Sequence, residues 1–337
     1  MNVSSREYLK ILQDLHKQSM QINAVCFCPT CNQKAIFSHV FSKRHILQPI
    51  CPESHLYLFD RRDMIFLSSA DMLSYRRKGI TKAFGFQGFC QKHDSTVFSE
   101  IEPKVGRVDW SNIRNQYLLS YRSLCREIYA NKVVSDVLNH LIQYSVSNNP
   151  NYHFNLCLSL SELRNSLTNL LCYKQFLEKG VFENNFEYIK FNYYELPFQI
   201  DLCISSPFRV EDGRGLCFKY DFQELNIVNI FPYYGKTIII IGYSDNFKNT
   251  WMNSILPNIK TPFPHLLSKL LTDILYRTEL SAMSEKMFKR INPELLNGFY
   301  ITYREQITNY DLNFDQIASL LYEPLKEVMP TDWQNLI

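Results

Sequence analysis

Cys28-Pro29-Thr30-Cys31 and, after 58 intervening residues, Cys90-Gln91-Lys92-His93 decide the reading of the first third of this chain. Two cysteines separated by two residues across a tight turn can aim both thiolates at one tetrahedral ion, and Cys90 with His93 repeats that spacing. The spacing therefore predicts one structural zinc held by Cys28, Cys31, Cys90 and His93. Cys26, two residues before Cys28, competes with it for a place in the ligand set. Cys51, beside Pro52, is a further substitute ligand. Cys125, Cys157, Cys172, Cys203 and Cys217 fall in apolar periodic segments and read as small core residues.

Between and after the two halves stand Ala35-Ile36-Phe37-Ser38-His39-Val40 and Gly88-Phe89-Cys90-Gln91-Lys92-His93-Asp94-Ser95-Thr96-Val97-Phe98-Ser99-Glu100-Ile101-Glu102. This order resembles the HNH endonuclease family, and most closely a group of uncharacterised bacterial proteins with Cys-x-x-Cys, Ser-His and Gly-Phe-Cys-x-Lys-His-Asp marks. The resemblance covers residues 24–105. It implies a treble-clef zinc scaffold carrying a ββα-metal core, with His39 as the general base that activates water against a phosphodiester. Asp94 matches the position of a metal-binding histidine, and hard carboxylate oxygens suit magnesium or manganese. The middle asparagine of the family has no counterpart, Gln87 being the candidate to orient His39, and Phe41 stands where proline is usual. A non-catalytic zinc module that binds nucleic acid or a partner protein is accordingly the alternative reading. With a large body attached, the resemblance also implies a conditional effector such as a bacterial defence nuclease.

The charge distribution points to the same third. Residues 1–107 carry 15 basic and 9 acidic side chains, +6, whereas the rest carries 21 and 24, −3. An anionic partner for the first third follows, with nucleic acid the expected one. Lys43-Arg44 and Arg76-Arg77-Lys78 are the candidate phosphate contacts. Arg61-Arg62, flanked by Asp60 and Asp63, reads more simply as internally paired. His45 and His55 are weaker candidates for phosphate or metal contact. Only 10 of 337 residues are glycine, and neither a dinucleotide fingerprint nor a P-loop is present; Gly213-Arg214-Gly215 lacks the third glycine and its helix. Met1–Glu7 has no apolar core for a signal peptide, and the longest isoleucine run, Ile238–Ile241, is far short of the ~20 residues that span a bilayer. A cytoplasmic protein with no membrane segment is expected; a protein partner or homo-oligomer is compatible with the sequence.

The fold class expected is α+β: an N-terminal helix and treble-clef zinc module over residues 1–107, then a helix–antiparallel sheet–helix body over 108–337. In the body, helices are expected over 110–190, strands over 196–243 and helices over 262–330. Ser161 is the expected cap of a helix to Glu178. Short strands are expected around Pro197–Ser205, Gly215–Phe222, Asn226–Pro232 and Thr237–Tyr243, and helical periodicity runs over Pro264–Phe288 and Phe314–Val328.

Overall fold

The structure is a computed structural model that describes residues 5–51, 53–60, 74–145, 150–209, 224–245, 251, 264–306 and 319–330. Helix α1 (Ser5–Ile22) buries Leu12 against Val134, Val137, Leu138 and Leu141 of α3 (Ile113–Ser145) and Leu156 and Leu160 of α4 (Pro150–Glu183). The chain then makes a hairpin from β1 (Ile36–His39) and β4 (Gly85–Phe89), with His39 opposite Gly85 and Ser38 opposite Phe86. Helix α2 (Gln91–Val97) follows β4 directly, so hairpin and helix stand in ββα order. Between β1 and β4 the chain makes two short helical turns, Lys43–Leu47 and Gln48–Ile50, and then two strands, β2 (His55–Asp60) and β3 (Arg76–Gly79).

The larger sheet explains itself through side-chain alternation. Its order is β3-β2-β9-β6-β7-β8-β5, with β5 (Lys190–Leu196), β6 (Leu202–Arg209), β7 (Leu225–Tyr233), β8 (Lys236–Tyr243) and β9 (Leu280–Met283), every pair antiparallel. Ile227, Phe231, Ile238 and Ile240 face α3 and α4, while Val228, Ile230, Ile239 and Ile241 face α5 (Pro264–Arg277) through Leu267, Leu270, Leu271 and Ile274. A sheet covered on both faces loses the usual apolar–polar alternation, which is why Ile238–Ile241 is an unbroken isoleucine run. Each such side chain contributes about 1.5–3 kcal/mol of burial. Short helices α6 (Glu285–Phe288), α7 (Pro293–Gln306) and α8 (Tyr322–Val328) complete the second face.

The mixed helix and antiparallel-sheet class agrees with the expectation. Several boundaries differ. Residues 1–107 do not stand apart: β2 pairs with β9 across Tyr57–Asp60, and one apolar cluster runs from Cys26 to Ala282. Helix α4 begins at Pro150, eleven residues before Ser161, with proline in the first turn where its missing N–H costs nothing. The helical stretch expected over Pro264–Phe288 is interrupted by β9, whose four residues are all buried. A short apolar run cannot be told from a buried helical segment by periodicity. Gly215–Phe222, Gly213–Gly215, Arg61-Arg62 and part of Phe314–Val328 lie outside the described residues. No helix among the described residues is long and apolar enough to cross a membrane.

Candidate metal centre and adjoining cavity

The Sγ atoms of Cys26, Cys31 and Cys90 and a ring nitrogen of His93 lie within 4.8 Å of one another, a group able to hold a metal ion. His93 Nδ1 is 3.3 Å from Cys26 Sγ and 3.4 Å from Cys90 Sγ. A tetrahedral zinc, with Zn–S about 2.3 Å and Zn–N about 2.0 Å, sets sulfur and nitrogen about 3.5 Å apart, so the donor set and its spacing fit zinc. Burial pushes the Cys26 thiol up. The His93 backbone N–H holds the Cys90 thiol below its usual range, as expected where a helix begins.

This set corrects the sequence expectation at one position, with Cys26 standing where Cys28 was expected. The turn from Cys28 forms, with the Cys31 N–H donating to the Cys28 carbonyl at 3.2 Å and Thr30 in the left-handed region at φ 61°. The Cys26 N–H donates to the Gln33 carbonyl and the Phe27 N–H to the Gly88 carbonyl. Cys28 lies outside the group, although its thiol adjoins that of Cys26. Cys28 lies in the interior near Cys125 of α3, where burial drives its thiol strongly up. Cys51 donates instead to the His55 carbonyl and belongs to the core.

Beside this group opens a cavity of about 650 Å³. It brings together both residues expected to be catalytic, His39 and Asp94, with the expected phosphate contacts Lys43 and Arg44, and with His45, Thr81, Glu102, Lys104 and Arg122. His39 Nε2 donates to the Thr81 carbonyl at 3.1 Å. A carbonyl can only accept, so the proton is fixed on Nε2 and the lone pair sits on Nδ1. The orienting role expected of Gln87 is thus filled by a backbone carbonyl. Burial lowers the His39 pKa below its ordinary 6.5, and the cations of Lys43 and Arg122 act the same way.

Asp94, in the first turn of α2, accepts from Arg122 Nη2 at 2.8 Å, and Glu102 accepts from Arg122 Nη1 at 2.7 Å. Arg122 is only 1% exposed, and its guanidinium lies 4.3 Å over the Phe98 ring. Burial alone would lower its pKa, but Glu102 and Asp94 outweigh that and hold it above its ordinary value. One carboxylate oxygen on each acid is thereby engaged, and the second has no partner among the described residues. Asp94→Ala should cost about 1.5–3 kcal/mol, the worth of a hydrogen bond to a charged group. Urea denaturation reads it; a loss under about 0.5 kcal/mol would mark the pair as screened by solvent.

Arg122, Glu102, Thr81 and Lys104 were not expected. Glu102 closes the Gly88–Glu102 block and Arg122 is a charge within the apolar face of α3, so each left a faint trace. Arg76, Arg77 and Lys78 do not line the cavity. They form edge strand β3, and Arg77 pairs with Glu53 at 3.3 Å and Glu285 at 3.6 Å. Basic side chains on a sheet edge oppose pairing with another chain, which accounts for that cluster without a phosphate. His55 Nδ1 bonds the Glu53 carbonyl and lines no cavity described here. Comparison of the chain with protein-family models, curated proteins and solved structures gives no match in any of the three.

Proposed function

We propose that the His39 cavity hydrolyses phosphodiester bonds in nucleic acid, in the manner of HNH nucleases. The observation that carries this reading is the convergence of an oriented imidazole, Asp94 and Arg122 on one basic cavity flanked by a ββα unit and the Cys/His group. Cys26, Cys31, Cys90 and His93 would hold a structural zinc, which would tie the turn before β1 to the start of α2 and so fix Asp94 relative to His39.

His39 Nδ1 accepts a proton from water, the resulting hydroxide attacks phosphorus, and the bond from phosphorus to the leaving sugar oxygen breaks, that oxygen taking a proton from solvent. Arg122 and Lys43 offset the charge gathering on the phosphoryl oxygens, and Arg122 holds Asp94 and Glu102 in place. The unpartnered oxygens of those two acids are hard donors suited to magnesium or manganese, which when bound supplies further charge neutralisation. A second reading, a non-catalytic module, is favoured by one observation: Arg122 already compensates both acids that a catalytic ion would need.

The two readings part in one assay. Purified protein is incubated with labelled DNA and RNA oligonucleotides in magnesium, in manganese and in chelator. Cleavage that needs the divalent ion is expected; salt-sensitive binding with intact oligonucleotide under every condition would establish the non-catalytic reading.

A further inference from the structure

Phe37 stands out against the economy of the rest of the hairpin. It is 45% exposed and lines the cavity, next to the buried Ser38 on β1. Its ring meets the His39 imidazole edge to face, with centroids 5.2 Å apart at 87°. The opposite support is the backbone at Gly85, the residue paired with His39; a Cβ added there would stand 2.1 Å from Phe37 Cζ. In a chain with so few glycines, this one provides the bed on which the ring lies. The neighbouring wall carries two buried polar groups with no partner: Ser38 Oγ, in a side chain 2% exposed, and Arg122 Nε, in one 1% exposed. Lys43, Arg44 and Lys104 stand exposed around them.

A supported aromatic face beside exposed cations matches one ligand chemistry, a planar base joined to a phosphate. Resting on the phosphodiesterase reading above, we infer that Phe37 is a stacking platform for an unpaired nucleobase next to the reacting phosphate, so that the substrate is single-stranded nucleic acid. Within a duplex both faces of each base are already stacked and cannot reach the ring without being extruded. The exposed Lys43, Arg44 and Lys104 then take the adjoining phosphates along the strand. Gly85 acts through Phe37 by keeping its ring in place.

The test is binding of the full chain to fluorescein-labelled single-stranded 12-mers, dT and rU, and to the duplex of the same length, by anisotropy in chelator so that no cleavage intervenes. The single strand should bind at least about 10-fold tighter than the duplex. Phe37→Ala should weaken it about 5- to 150-fold, the equivalent of ~1–3 kcal/mol for one stacked base. Duplex binding should not change, and Phe37→Trp should restore the wild-type preference. Gly85→Ala, which displaces the ring without removing it, should weaken single-strand binding in the wild type and add nothing in Phe37→Ala. Equal affinity for single strand and duplex, or a Phe37→Ala protein that binds like wild type, would overturn the platform. Its failure is separable from that of hydrolysis: cleavage insensitive to Phe37 leaves only the platform wrong, and Phe37-dependent binding without cleavage leaves only hydrolysis wrong. The dT and rU arms show which sugar the site takes.

Discussion

Cys26→Ser protein should leave purification without its equivalent of zinc, whereas Cys28→Ser should keep it. The three sulfurs and one nitrogen within 4.8 Å include Cys26 and not Cys28. A structural zinc contributes about 10–16 kcal/mol over four ligands, so one lost thiolate should weaken the ion by a factor on the order of 10²–10³. Titration with a competing colorimetric chelator measures this directly. The Cys28 variant should show its defect elsewhere, since a hydroxyl in that interior position needs a partner and costs about 1–3 kcal/mol without one. The Cys26 variant should also loosen the aromatic cluster of Phe27, Phe89 and Phe98 with Tyr121, whose hydroxyl donates to the Phe27 carbonyl. If the metal is lost from Cys28→Ser and kept in Cys26→Ser, the ligand set is the one the Cys-Pro-Thr-Cys spacing predicts.

That exchange of one cysteine marks the limit of what the sequence discloses. Cys-x-x-Cys spacing encodes a turn, and the turn forms, but which sulfur the preceding residues present depends on pairing with Gly88, some 60 positions away. The same limit applies to β9. Leu280–Met283 are all buried, and the side chains alone do not say whether a helix or a central strand buries them; pairing with both β2 and β6 decides it. His39 and Asp94 were legible because their neighbours form a recognisable order. Arg122 was not, because its meaning comes from α3 passing beneath α2 and delivering a cation to Asp94 and Glu102. Residues 53–60 read as part of an independent module because the chain enters them from the zinc region, yet Tyr57–Asp60 pair with Leu280–Met283 near the far end of the sequence, and 76–79 join the same sheet by pairing with 55–58. Local chemistry is written locally, and the long-range contacts that complete a site are not.

His39→Ala should lower divalent-ion-dependent cleavage by about 10²- to 10⁴-fold, the usual contribution of a general base, while zinc content and urea midpoint stay near wild type. The imidazole is only partly buried and its hydrogen bond to the backbone ends on the carbonyl of the exposed Thr81, so its removal leaves no buried group stranded. The pH profile distinguishes a base from a merely structural histidine. Burial, then Lys43 and Arg122, hold the His39 pKa below 6.5, so the neutral, base-competent form persists below the ordinary histidine range and the acid limb of the rate should fall there. Lys43→Gln removes one depressing cation and should move that limb upward. Folding is linked with the opposite cost: the unfolded chain takes up the proton at a higher pH than the folded one, so stability should decline as pH falls below 6.5 and this part of the decline should be absent in His39→Ala. A structural histidine would give the stability effect without moving the rate limb. Wild-type cleavage by His39→Ala, with an unshifted profile in Lys43→Gln, would place the proton acceptor outside this cavity and leave Arg122 with its two acids as a purely binding or structural element.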